Sequence, residues 1–273
     1  MRVLVSVDME GVAGVVAPED ISPGNAEYER NRIYMTDEAS AAVRGILAFD
    51  PQASVVVCDA HAGFRNLVPH RLTRGCTLLR GSPRTHGMMT GIDNGVDAVC
   101  FVGYHGQAGT PRSVLAHTVS GGTVAQVRCD GRELGELGLN AALAAHYGAA
   151  PVLATGDDTL AREAESVVPG ITTVAVKRAF GNRAAEGLHP DEACARIEAA
   201  AATALGTRAD VRAPKFHGPV DLEVDVLRPH MTELACLIPG VELRGPLTLG
   251  FRAPNVSAAY DLIDVFTILA ASA

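Results

Sequence analysis

The placement of short apolar runs between alanine-rich helical stretches restricts this chain more than any other feature. The runs "RVLVSV", "ASVVVCD", "DAVCFVGY", "APVLAT" and "TTVAVK" are separated by segments with helical periodicity. Strands that are apolar throughout are buried on both faces, which is the condition of a parallel sheet whose crossover connections are helices. The expected helices are "TDEASAAVRGILAF", with Thr36 as its cap, and "ELGLNAALAAHYG", closing on Gly148. "DDTLAREAESVV" and "PDEACARIEAAAATALG", the latter with Pro190 just inside its start, complete the set.

Beyond about residue 210 the pattern changes. "PVDLEVDV" alternates strictly and puts Val220, Leu222, Val224 and Val226 on one face, as in a strand with one wet side. A short helix at "MTELACLI", a strand near "PLTLGF" and a terminal helix "NVSAAYDLIDVFTILAA" follow. The sequence therefore predicts an α/β fold, a mostly parallel sheet flanked by helices over residues 1–210, with a smaller C-terminal α+β portion over residues 211–273. The stretch "TRADVRAPKFHGP" is the expected boundary.

With 273 residues, 48% of them hydrophobic and 20% charged, the chain can bury a large core and is not of disordered composition. A net charge of -8, no basic cluster, no Trp and 4% aromatics exclude a nucleic-acid partner. No apolar run approaches the ~18 residues of a membrane span, so no membrane partner is expected. The opening "MRVLVSVDMEG" is interrupted by acids too early for a signal peptide. Six cysteines lie far apart without a C-x-x-C pair, so reduced thiols and a cytoplasmic location are expected.

Ionisable residues gather where strands end. The first strand leaves the core at Asp8 and Glu10, the second at Asp59 and His61, and the next at His105. In an open parallel sheet these positions lie on one rim, with neighbouring strands about 4.8 Å apart, so the side chains can converge. Any one of them alone is more ordinary: a carboxylate at a strand exit caps turns, and a lone histidine is usually a satisfied, partly buried one. Together they point to a metal site. Downstream, His117 stands in "SVLAHTV", and Glu136 opens a helix in "GELGLN", where an acid also complements the helix dipole. Gly135 and Gly138 there let backbone crowd closely. "GDD" after the fourth run reads as a cap, and the other six histidines read as surface residues. No nucleotide-binding, serine-hydrolase or H-E-x-x-H motif is present.

"SVDMEG", "DAHAGFRNL", "GYH…TP…AHT" and "GELGLNA", in this order, resemble the zinc-dependent D-aminopeptidase family associated with dipeptide-transport operons. The resemblance runs over nearly the whole chain, including "YERNRIYMTDEA" and "PVLATGDD". It implies two Zn2+ ions held by Asp8, Glu10, His61, His105 and Glu136, with His117 as the catalytic histidine. It also implies short peptide substrates with a free amino-terminal D-residue, and a ring-shaped homo-oligomer. The chain departs from the family pattern in the spacing of His105 and His117, one residue longer, and in Thr118 where Ser is expected.

Coordination arithmetic agrees with that implication, because five residues supply about six ligand positions if one carboxylate bridges. Asp8, innermost on its strand, is the natural bridge. Asp59 is a candidate to orient a ligand imidazole, and His117 could act as acid or base, as an electrostatic stabiliser or as nucleophile. A two-metal phosphoesterase is the second reading, though Arg65 is the nearest basic residue to the motifs. A non-catalytic, metal-stabilised assembly protein is the third.

Overall fold

Leu4 of the first strand faces one hydrophobic core while Val3, Val5 and Val7 face another, so this strand divides the interior in two. A computed structural model describes residues 1–272; Ala273, the last residue of the expected C-terminal portion, lies outside them. The chain begins with β1 (Arg2–Val7), α1 (Pro18–Ile21), α2 (Ala26–Phe49), β2 (Ser54–Asp59), β3 (Cys76–Leu79) and β4 (Ala98–Tyr104). It continues through β5 (Val124–Cys129), β6 (Arg132–Glu133), α3 (Glu136–His146), β7 (Ala150–Asp157), α4 (Asp158–Val167), β8 (Thr172–Gly181) and β9 (Ala184–Gly187). It closes with α5 (Pro190–Gly206), β10 (Val220–Val226), α6 (Pro229–Ala235), β11 (Val241–Gly245), β12 (Thr248–Ala253) and α7 (Val256–Ser272).

A seven-stranded sheet has the order β3-β2-β1-β4-β7-β8-β9 and is parallel except for the β8–β9 edge pair. The α/β fold is as the sequence predicts: helices cover this mostly parallel sheet, with α2 and α5 on the side of Val3, Val5 and Val7. Strands β2, β1 and β4 are immediate neighbours, and Val7 pairs with both Asp59 and Val102, so their exits lie side by side. That adjacency is what positions the site.

Several local readings change. Thr36 does not cap α2, which starts ten residues earlier in the helix-forming stretch "AEYERNRIYM". Its hydroxyl instead donates to Arg32 O at 2.7 Å and accepts from Val68 N at 3.0 Å, tying the helix to the loop after His61. The short, half-buried edge strand β3 carries no strong pattern and was not expected.

The second, five-stranded sheet has the order β11-β12-β10-β5-β6, so it takes β5 and β6 from outside the expected smaller portion 211–273. Strand β10 has the expected alternation, with Val220, Leu222, Val224 and Val226 buried, and its neighbour is β5. One core then runs from Leu4 and Phe101 through α3 to α7, joining early and late parts of the chain.

Candidate active site

All six residues singled out by sequence, Asp8, Glu10, His61, His105, His117 and Glu136, meet beyond the exits of β1, β2 and β4, at the start of α3. Ligand-capable atoms of Asp8, Glu10 and His61 lie within 4.8 Å of one another, and so do those of Asp8, His105 and Glu136. A third such group is Glu10, His105 and His117. Asp8 belongs to the first two.

Each imidazole is aimed by a backbone carbonyl. His61 Nε2 lies 3.0 Å from Ile21 O, His105 Nδ1 3.0 Å from Gly106 O, and His117 Nδ1 2.9 Å from Leu115 O. A carbonyl only accepts, so each of those nitrogens carries a hydrogen, and the other nitrogen of the neutral ring offers a lone pair to the cluster. The expected role of Asp59 as the imidazole's partner therefore falls to Ile21. Asp59 acts one step back: its carboxylate accepts from Asn66 N (2.6 Å), Leu67 N (2.8 Å) and Asn66 Nδ2 (2.8 Å), shaping the loop that presents His61.

The lone-pair nitrogens crowd the carboxylates. His61 Nδ1 is 3.2 Å from Asp8 Oδ1 and 3.0 Å from Glu10 Oε2; His105 Nε2 is 3.4 Å from both Asp8 Oδ2 and Glu136 Oε1. Acceptors this close repel unless a cation or a proton lies between them. Glu10 Oε2 and His105 Nε2 are buried with no hydrogen-bond partner, the condition expected of atoms that hold a metal. Mixed carboxylate and imidazole donors suit zinc.

Protons answer the same need. Burial by itself lowers the pKa of His61, but Glu10 and Asp8 outweigh it and raise the ring well above its ordinary value. Against the same burial, Glu136 and Asp8 do this for His105. Glu10 and Glu136 are held below the usual carboxylate range, burial opposing, by His61 for the first and His105 for the second. Asp8 moves upward, through burial and then Glu10.

His117 differs from the rest. It stacks on His105 at 4.1 Å between ring centroids, and its Nε2 is 3.5 Å from Glu136 Oε1. Its side chain is 22% exposed, against 7% or less for the other five, so it alone of the six is readily reached from solvent. Thr118, the unexpected neighbour, is buried and accepts from Ala108 N at 3.1 Å, bracing this longer loop. Glu136 accepts from Val119 N at 2.7 Å. At the N-cap, a Cβ on Gly135 would stand 2.5 Å from Gln107 Cβ, which explains the glycine before the acid.

The cluster forms one side of a cavity of about 590 Å³. Residues 1–265 match the model of the D-aminopeptidase family. The chain belongs to the D-aminopeptidase family. A D-aminopeptidase of Bacillus subtilis (strain 168) is 33% identical over 272 residues, covering 99% of this chain and 98% of the relative. The solved Zn-dependent D-aminopeptidase DppA from Bacillus subtilis, described as a self-compartmentalizing protease, superposes with a TM-score of 0.96. That match has 32% identity and covers 100% of this chain and 99% of the other. Family membership and the donor cluster together make this protein a metal-dependent aminopeptidase.

Sequence reasoning missed several residues of this D-aminopeptidase-family site. Lys177, buried at the end of the apolar run "TTVAVK", donates to Glu10 O (2.5 Å), Val12 O (2.9 Å) and Val15 O (2.7 Å), fixing the segment that carries Glu10. A lysine closing an apolar strand was the available signal. The basic residue of the cavity is Arg84, stacked 3.7 Å from the centroid of Phe64, whereas Arg65 is exposed. Asp264, which with Asp261 interrupts the otherwise apolar helix α7, also lines the cavity. His86 is buried rather than superficial, bonded to Asp261 and Tyr147; the remaining five histidines outside the cluster are exposed. Asp157 caps α4 as expected, accepting from Thr159 N and Leu160 N.

Proposed function

We propose that the protein is a two-zinc aminopeptidase that releases the N-terminal residue of short peptides, with preference for D-residues. The observation that carries this reading is the set of three histidines, each pinned by a carbonyl, whose free nitrogens between them face the carboxylates of Asp8, Glu10 and Glu136. Asp8 takes part in two donor groups, one with Glu10 and His61 and one with His105 and Glu136, so these five residues would hold two ions with Asp8 contributing to both groups. Bound zinc supplies a Lewis acid and a water acidified towards neutral pH.

The chain's own residues do the rest. Buried and rigidly held, Glu10, His61, His105 and Glu136 fix the donor geometry and exclude bulk water. His117 is the acid–base residue: its outer N–H is committed to Leu115 O, leaving Nε2 to take a proton at the cavity and pass it to the leaving amine. A phosphoesterase role loses its footing with membership of a peptidase family.

The self-compartmentalizing description of DppA supports a ring-shaped homo-oligomer here. All six cysteines are free, and among the described residues no helix is long and apolar enough to cross a membrane; these features support the cytoplasm as location. The test is amino-acid release from paired D-alanyl and L-alanyl dipeptides by the zinc-loaded protein and by His117→Ala. The reading predicts faster release from the D-series, and a variant that keeps its metal and fold while turnover falls by roughly 10²-fold or more. Preserved turnover in the variant would remove His117 from the reaction.

A further inference from the structure

An aminopeptidase selects peptides with a free amino end, and an anion on the cavity wall outside the metal cluster is one group that would meet it as an ammonium. Three of the carboxylates on its wall, Asp8, Glu10 and Glu136, belong to the donor groups. The fourth is Asp264, which belongs to none of those groups. Among the described residues its carboxylate accepts no hydrogen bond and makes no ion pair, although the residue is half-buried. Burial, then Asp261 and Glu136, push its pKa up to about 6, outweighing the opposite pull of Arg84 and His86, neither of which is paired with it.

The surroundings keep it in that condition. Among the described residues Arg84 is the one lysine or arginine on the cavity wall, and it makes no ion pair with Asp264: Nη2 donates to Asp59 O at 2.5 Å and the guanidinium lies on Phe64, while Nε and Nη1 are buried without a partner. His86, the nearby imidazole, is bonded to Asp261 at 3.0 Å. Gly87 leaves room for the carboxylate, because a Cβ there would stand 2.6 Å from Asp264 Oδ2. Tyr260, one turn earlier on α7, is fixed by its hydroxyl to Asn140 Oδ1 at 2.6 Å, so the helix face that presents Asp264 is anchored.

We infer that Asp264 is the subsite for the α-ammonium group of the substrate, lining the same cavity as the metal cluster and selecting peptides with an unblocked amino end. This rests on the aminopeptidase reading and deepens it. A peptide held there by its ammonium has its first carbonyl only two bonds away, beside the cluster that lines the same cavity, and an N-acylated peptide offers Asp264 no charge.

The experiment compares D-alanyl-D-alanine with N-acetyl-D-alanyl-D-alanine. Binding is measured by calorimetry on zinc-loaded full-length protein carrying His117→Ala, which blocks turnover, with and without Asp264→Asn. The free amine should bind at least about tenfold more tightly than the acetylated peptide, a margin that collapses towards unity with Asp264→Asn and returns in part with Asp264→Glu. In the otherwise native enzyme, Asp264→Asn should raise KM far more than it lowers kcat, with zinc content and Tm unchanged. Asp264→Ser serves as the second variant if Asn perturbs folding. An undiminished preference for the free amine in these variants would overturn the assignment. Absence of peptide cleavage by the native protein would instead overturn the aminopeptidase reading, and the binding comparison would still report on Asp264.

Discussion

His61, His105 and His117 owe their direction to three carbonyls, of Ile21, Gly106 and Leu115, and this explains which features of the site a sequence discloses. The acids and imidazoles were legible because their side chains are distinctive and stand at strand exits. Their partners were not, because every residue carries a carbonyl and only the fold decides which one faces a ring. Asp59 was legible as important and misassigned in role for the same reason: a carboxylate beside a histidine in sequence is here turned towards the backbone of Asn66 and Leu67. Replacing it by Ala would orphan buried N–H groups in the loop after His61. We predict a loss of about 2–4 kcal/mol in urea unfolding, and metal affinity weaker by roughly 10- to 100-fold in a chelator competition. Unchanged affinity would detach Asp59 from the site.

Among elements, the segment between β1 and α1 is held by two buried ionisable groups. Lys177 binds three of its carbonyls, and Glu38 Oε1 accepts from Ala13 N at 2.8 Å. Burial raises Glu38 to about 7 from 4.5. A carboxyl raised on folding adds stability that is fully present below pH 4.5 and is lost as pH rises through about 7. Lys177, lowered by burial to about 8, stays largely charged across that window. Glu38→Gln should therefore remove this part of the pH dependence, so that the variant gains on the native protein between pH 5 and pH 8 in urea unfolding. A constant difference would contradict the assignment. The approach of β1 to β4 depends on Gly103, whose φ is +71° and whose added Cβ would collide with Asp8 O. Gly103→Ala should cost on the order of 3 kcal/mol, read as a lowered Tm. The strands and helices were legible where periodicity was strong, as in β1, β4 and β10. They were not legible in β3, which is too short, or at the start of α2, where good helix-forming residues extend the helix past an apparent cap.

For the whole molecule, the late part of the chain is not an appendage to the early part. Helix α7 brings Asp264 and Tyr260 to the cavity that Asp8 and Glu136 also line, and β10 pairs with β5 through the centre of the second sheet. Such pairings between residues far apart in sequence are set by the fold, so a change of pattern near residue 210 marked a change of architecture without marking where the second sheet begins. Exposed apolar residues on the surface include Phe180, Leu237, Leu243 and Ile268, and an assembly of copies would give such residues cover. Light scattering coupled to size exclusion should therefore return a mass several times 28.4 kDa, and a monomer would contradict the oligomeric proposal. The central claim, that Asp8, Glu10, His61, His105 and Glu136, five side chains from distant segments, together hold a pair of cations, is tested most directly by metal quantification on the purified protein beside His61→Ala and Glu136→Ala. The account predicts about two zinc ions per chain, reduced in both variants together with dipeptide cleavage; a native protein that cleaves dipeptides fully with no bound metal would contradict it.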